Sequence, residues 1–203
     1  MILTPIAETD LPQALAGLSA NLQGAARAAL DRIAESIAFG GPDDTPARRR
    51  QAVALARALG ISVLDEAPAL AFSWDGRVLR TESEAWVILH EIAHWLIAPP
   101  TRRRRRDFGL GAGPETGRAE EADADRSVDE PQRAREEAQA SLLGILWEAA
   151  LGQPAIHAFL EQNWLEGWQR PSAAIYFTGI VDDLQRLGLI DRDGRPLALR
   201  AAA

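Results

Sequence analysis

Two histidines and a glutamate carry the chemistry that is easiest to read in this chain: His90-Glu91-Ile92-Ala93-His94-Trp95. Residues four apart on a helix are separated by about 400° of rotation, so both imidazoles project from one face. Two neutral ring nitrogens placed that way reach a single metal ion, and Glu91 is set to contact a metal-bound water. The bland alternative is an amphipathic core helix that happens to carry histidines. Histidine is seldom buried without a partner, however, and only three histidines exist in the 203 residues, two of them here.

Composition narrows the metal chemistry further. Cysteine is absent, so no disulfide, thiolate ligand or cysteine nucleophile is available. A metal must be held by imidazole and carboxylate, which suits Zn2+ with an open coordination position or non-haem Fe2+. All 22 basic residues are arginine, which removes any lysine nucleophile. The net charge of −7 argues against a protein built around nucleic-acid phosphates. Hydrophobic content of 47% is that of an ordinary globular chain. With no signal-peptide pattern and no apolar run of roughly 18–20 residues, the expected setting is cytoplasmic, without a membrane partner.

The elements that must position the motif follow in chain order. Leu11 to Phe39 has apolar residues at three-to-four spacing, predicting one long helix or two shorter ones broken near Ser19-Ala20-Asn21. Thr45-Pro46 is an N-cap followed by proline, opening a helix that stops at Gly60. Ile61 to Leu64 and Ala69 to Trp74 are β-prone. The Asp75-Gly76 turn predicts a small β-hairpin with Arg77 to Arg80 as its returning strand. Thr81-Glu82-Ser83-Glu84 has the form of a capping box ahead of the metal helix, which runs to Ala98 and ends at Pro99-Pro100. Its apolar residues lie on nearly all sides, as in a helix buried mid-domain.

Beyond it, Arg102 to Arg106 is an unbroken arginine run, followed by Asp107-Phe108-Gly109, a glycine-rich stretch to Gly117 and an acidic stretch to Glu130. The run reads as a loop whose charges neutralise each other, or as a flap holding an acidic substrate. Pro131 to Leu151 is a long helix with Glu137, Ser141, Gly144 and Glu148 along one stripe. Its small residues would let it approach the His90–His94 helix closely and deliver a carboxylate to the metal. Pro154 to Trp164, carrying His157, and Pro171 to Leu187, carrying Tyr176, are further helices. A two-histidine site needs a third protein ligand, and His157 and the glutamates after the loop are the candidates.

Arg135-Glu136-Glu137-Ala138 resembles the glutamate-bearing second helix of the zincin-like metallopeptidases. Two families are similar in more detail. Antirestriction-type metallopeptidase domains share the His90-to-Trp95 segment, the basic residues and Phe108-Gly109 after it, and the glutamate pair. The elongation factor P hydroxylase family is similar at Leu89 to Ala98, at the arginines with Asp107-Phe108-Gly109, and at Ala150 to Gly152. Both resemblances cover about a third of the chain, near Trp86 to Gly152. They imply His90, His94 and Glu137 as metal ligands, with Glu136 the runner-up. The loop after Phe108 departs from the hydroxylase pattern in lacking aromatic residues.

The expected architecture is therefore α+β and predominantly helical: a zincin-like core over 61–203 behind an N-terminal helical segment, 1–60. The expected function is zinc-dependent hydrolysis of a peptide or amide bond in a peptide or protein substrate. In that reading Glu91 accepts the water proton, and His157 or Tyr176 contacts the substrate or transition state. The alternative is an iron hydroxylase, in which Glu91 stands behind the ligands. A non-catalytic, metal-stabilised binding module is the third reading.

Overall fold

A computed structural model describes residues 6, 8–68, 72–112 and 118–197. Eight α-helices stand in it: α1 (Leu11–Ser19), α2 (Gly24–Glu35), α3 (Pro46–Ala58), α4 (Ala85–Ile97), α5 (Ala119–Ala124), α6 (Glu130–Ala150), α7 (Ala155–Glu161) and α8 (Pro171–Arg186). Two short strands, β1 (Val63–Leu64) and β2 (Leu79–Arg80), make the only sheet among the described residues. The fold is α+β and mostly helical. No described helix is long and apolar enough to cross a membrane.

The chain divides into two compact units. Among the described residues, one comprises 6–42 with 145–197 and the other lies within 43–144. In the first, α2 is the central helix and packs against α1, α7 and α8. The break expected near Ser19-Ala20-Asn21 separates α1 from α2. Ser36 ties two parts of this unit together: its buried hydroxyl donates to Ile33 O (2.6 Å) and accepts the Ile156 amide (3.0 Å). Phe159, Trp164 and Phe177 form its aromatic core, with ring centroids about 6 Å apart.

The second unit carries the His90–His94 segment. Thr45 caps α3 as its sequence predicts, its hydroxyl accepting the Arg48 amide at 3.3 Å. The buried alanines Ala52 and Ala56 lie on this helix, which packs against α4. On α4 itself, Ala85, Ile88, Leu89, Ile92, Ala93, His94 and Leu96 are all buried.

Three local expectations are corrected. The strands pair in parallel, Val63 with Leu79 and Leu64 with Arg80, rather than as a hairpin. The Asp75-Gly76 turn does form, but it closes only an isolated antiparallel bridge between Trp74 and Leu79; Ala69 to Ala71 lie outside the described residues. The capping box is not used. Glu84 is the N-cap of α4 without a side-chain bond, and the Thr81 hydroxyl donates instead to Leu64 O at 3.2 Å. Asp44, far off in sequence, accepts the Ala85 amide at 3.1 Å and serves the helix start from outside. Finally, the helix carrying His157 ends at Glu161, short of Trp164.

Candidate metal centre

The floor of the site is α4, which presents His90 and His94 on one face as their spacing requires. Across it runs α6. A Cβ on Gly144 would stand 3.3 Å from both His90 N and His90 Cα, so the two backbones meet where only a glycine fits without displacement. Two turns earlier on α6, Glu137 reaches the histidines. Its Oε2 lies 3.5 Å from His90 Nε2 and 3.4 Å from His94 Nε2, and the two Nε2 atoms are 3.0 Å apart.

Those three edges suit a bound cation. Ligands about 2.0–2.1 Å from a first-row metal ion stand about 2.9–3.4 Å apart, the lower value for octahedral and the upper for tetrahedral placement. Two imidazole lone pairs facing each other at 3.0 Å repel unless a proton or a cation lies between them. Among the described residues this is the one cluster of three or more possible ligands whose donor atoms converge. Access is one-sided. The His94 side chain is 5% exposed, whereas His90 is 22% and Glu137 42% exposed, so the site opens to solvent on the Glu137 side.

The electrostatics are those of an acidic pocket. Burial raises the Glu137 pKa, but its bonds to both histidines and their charge outweigh that, holding it well below the usual carboxylate range. Burial and the charge of His94 push His90 down. Burial acts on His94 in the same direction, but Glu137, Glu91 and Glu136 overcome it and push His94 up. Burial moves Glu91 up to about 7; His94 opposes this, and Asp107 and Glu137 add to it. Asp107 is raised to about 7 by burial as well, with His94 opposing and Glu137 adding. Glu91 and Asp107 therefore both sit within electrostatic reach of His94 and Glu137.

Asp107 comes from the segment after α4, which the arginine run anchors. Arg102 is buried and bonds Glu136 Oε2 (2.5 Å) and Phe108 O (3.3 Å). Arg103 donates to Ala98 O (2.9 Å) and lies over the Trp95 ring, 3.8 Å from its centroid. Arg105 bonds Asp125 O, and Arg106 pairs with Glu121. Arg104 is exposed, as Arg105 is, and its carbonyl is only 2.5 Å from where a Gly76 Cβ would be. Much of the arginine run is thus structural. Asp107 (φ 41°) and Phe108 (φ 56°) both adopt left-handed backbone, which costs about 1–2 kcal/mol per non-glycine residue. They are held there by the Asp107 amide on Trp74 O (3.2 Å) and by stacking of the Phe108 ring between Trp74 (5.5 Å) and His94 (5.6 Å).

The structure thus brings His90, His94 and Glu137 together, with Glu91 beside them, and gives Glu136 to Arg102. His157 and Tyr176 belong to the other unit. There His157 Nε2 lies 3.3 Å from Gly40 O, and Tyr176 is exposed and stacks on Trp164. Sequence reasoning did not single out Asp107, Phe108 or Trp74 for the site. The Asp107-Phe108-Gly109 string was visible, but nothing in it announces consecutive left-handed residues.

Two histidines and one carboxylate converging in a partly buried cluster define a candidate mononuclear metal centre. The sequence profile of the elongation factor P hydroxylase family matches residues 77–141, about a third of the chain. That span contains every residue of the centre, from Glu91 and both histidines to Asp107 and Glu137. No curated protein and no solved structure matches the chain.

Proposed function

We propose that this chain is a non-haem iron-dependent hydroxylase acting on a protein or peptide substrate in the cytoplasm. The observation that carries the reading is that the hydroxylase-family match spans the whole converging set, His90, His94 and Glu137. The match favours this alternative over the zinc hydrolysis expected from the peptidase resemblance. Iron(II), held by His90, His94 and Glu137, would supply oxygen activation. The protein's own contribution is positioning and exclusion of water. Glu137 brings a negative charge, His94 closes the buried side, and Phe108 covers the His94 ring. Glu91 and Asp107, each raised to about 7, are groups able to hold or release a proton near neutral pH.

The test is anaerobic purification, iron(II) loading and measurement of oxygen uptake, with elongation factor P as the first substrate offered. A product heavier by one oxygen atom supports hydroxylation; iron that binds but never drives oxygen uptake with any protein substrate counts against it. The second reading, zinc-dependent hydrolysis, is favoured by Glu91, a half-buried carboxylate with the acidity of a general base beside the histidines. Zinc-loaded protein that cleaves peptides, and stops on Glu91→Gln, would establish it instead.

A further inference from the structure

Four buried side-chain polar atoms in the metal-bearing unit lack a hydrogen-bond partner among the described residues, Arg49 Nε, Arg80 Nε, His94 Nδ1 and Glu136 Oε1, and the last two are complementary. His94 Nδ1 is the ring nitrogen turned away from the cluster, and Glu136 Oε1 is the carboxylate oxygen that Arg102 does not bind. Neither is cheap to leave alone, because an unsatisfied buried group forfeits its hydration without replacement. A metal on Nε2 fixes the proton of a histidine on Nδ1, which makes that atom a donor in need of an acceptor.

The surroundings already hold Glu136 for such a role. It is 4% exposed, and its other oxygen is bound by Arg102, itself 8% exposed. The second amine of Arg102 holds Phe108 O, and the Phe108 ring lies stacked on the His94 ring. Glu136 also precedes Glu137 on α6, so locking one fixes the rotation of the helix at the other. One guanidinium therefore joins the ligand-bearing turn of α6 to the aromatic cover of His94.

We propose that Glu136, locked by Arg102, is the positioning residue for His94, its Oε1 accepting the Nδ1–H across one buried water, since no direct bond joins the two atoms. The proposal rests on the metal-centre reading. It makes Glu136 a partner of a ligand rather than a ligand, and gives the buried Arg102 a function.

The test uses the full chain with cobalt(II) for affinity and zinc(II) for NMR of 15N-histidine protein, where three histidines give a sparse spectrum. In zinc-loaded wild type, the His94 Nδ1–H should be downfield and slow to exchange. Glu136→Gln should weaken cobalt(II) binding about 10–100-fold and move that resonance upfield. Arg102→Lys, which cannot fork to two acceptors, should act in the same direction, while the exposed Arg104→Gln should change neither readout. Glu136→Gln protein that binds cobalt within about twofold of wild type, with the resonance unmoved, overturns the proposal. If Glu136→Gln fails to fold, the wild-type spectrum decides: a His94 Nδ1–H that exchanges freely with water overturns it. Wild type that binds no cobalt overturns both this and the metal centre, whereas wild-type binding with an indifferent Glu136 removes this alone.

Discussion

At the scale of single residues, adjacent glutamates on α6 have different tasks because a helix turns about 100° per residue. Glu137 faces both Nε2 atoms and Glu136 faces Arg102. Removing Glu137 deletes one of three donors, so Glu137→Ala should lose most of its metal through dialysis, as should His90→Ala. Glu91 is not one of the three, so Glu91→Gln should retain metal near the wild-type stoichiometry. Elemental analysis of the dialysed proteins checks this; a Glu137→Ala variant that stays fully loaded would reassign the third ligand. Much of this was legible in sequence. His90 and His94 follow from a local helical period, and the stripe through Glu137 and Gly144 follows from the same period. The Arg102–Glu136 bond was not, since 34 residues separate its partners and no repeat links them.

At the scale of elements, the turn before β2 and the crossing of α4 with α6 each hold the site by a different force. The Asp75 carboxylate accepts the amides of Arg77 (2.9 Å) and Val78 (3.0 Å) and pairs with Arg80 (2.9 Å). Burial raises its pKa, but the Val78, Arg80 and Arg77 contacts outweigh that and set it below its ordinary 3.8. A carboxyl with a depressed folded pKa adds stability above its unfolded pKa and loses it as pH falls through the folded value. Asp75→Asn should therefore unfold at lower denaturant than wild type at pH 7, and the gap should narrow below about pH 4. Urea titrations at several pH values measure the gap; one independent of pH would mean the charge is irrelevant. The turn itself was readable from Asp75-Gly76. The parallel pairing of β1 with β2 and the cap from Asp44 on Ala85 were not, because each joins segments distant in sequence with no local signature.

Gly144 tests the crossing. Alanine there gains about 1 kcal/mol in helix propensity, but its Cβ meets His90 backbone at 3.3 Å, so the two effects nearly cancel. Leucine adds three more carbons against a backbone that yields poorly, and overpacking of that kind costs about 1–3 kcal/mol. Gly144→Leu should thus lower the melting temperature and also weaken cobalt(II) binding, since it separates α6 from α4 on the stripe that carries Glu137. A destabilised variant with unchanged metal affinity would show that the crossing supports the fold but not the site.

For the molecule as a whole, an ion held at the proposed centre would make stability a function of metal concentration. All three donors belong to residues 43–144, while α1, α2, α7 and α8 belong to the other compact unit. An ion that binds the folded state alone adds RT ln(1 + [L]/Kd), about 2.7 kcal/mol at a hundredfold excess over Kd. Thermal unfolding should therefore move upward on adding iron(II) or cobalt(II) and return on chelation. Hydrogen exchange should place the gain in protection on α4, on the 102–112 segment and on the Glu137 end of α6, because binding restrains the groups that converge there. In Glu137→Ala the same additions should leave the melting temperature nearly still, which separates binding at this centre from adventitious metal on the acidic surface. A wild-type shift that persists undiminished in that variant would put the stabilising ion elsewhere and remove the thermodynamic support for a centre built on His90, His94 and Glu137.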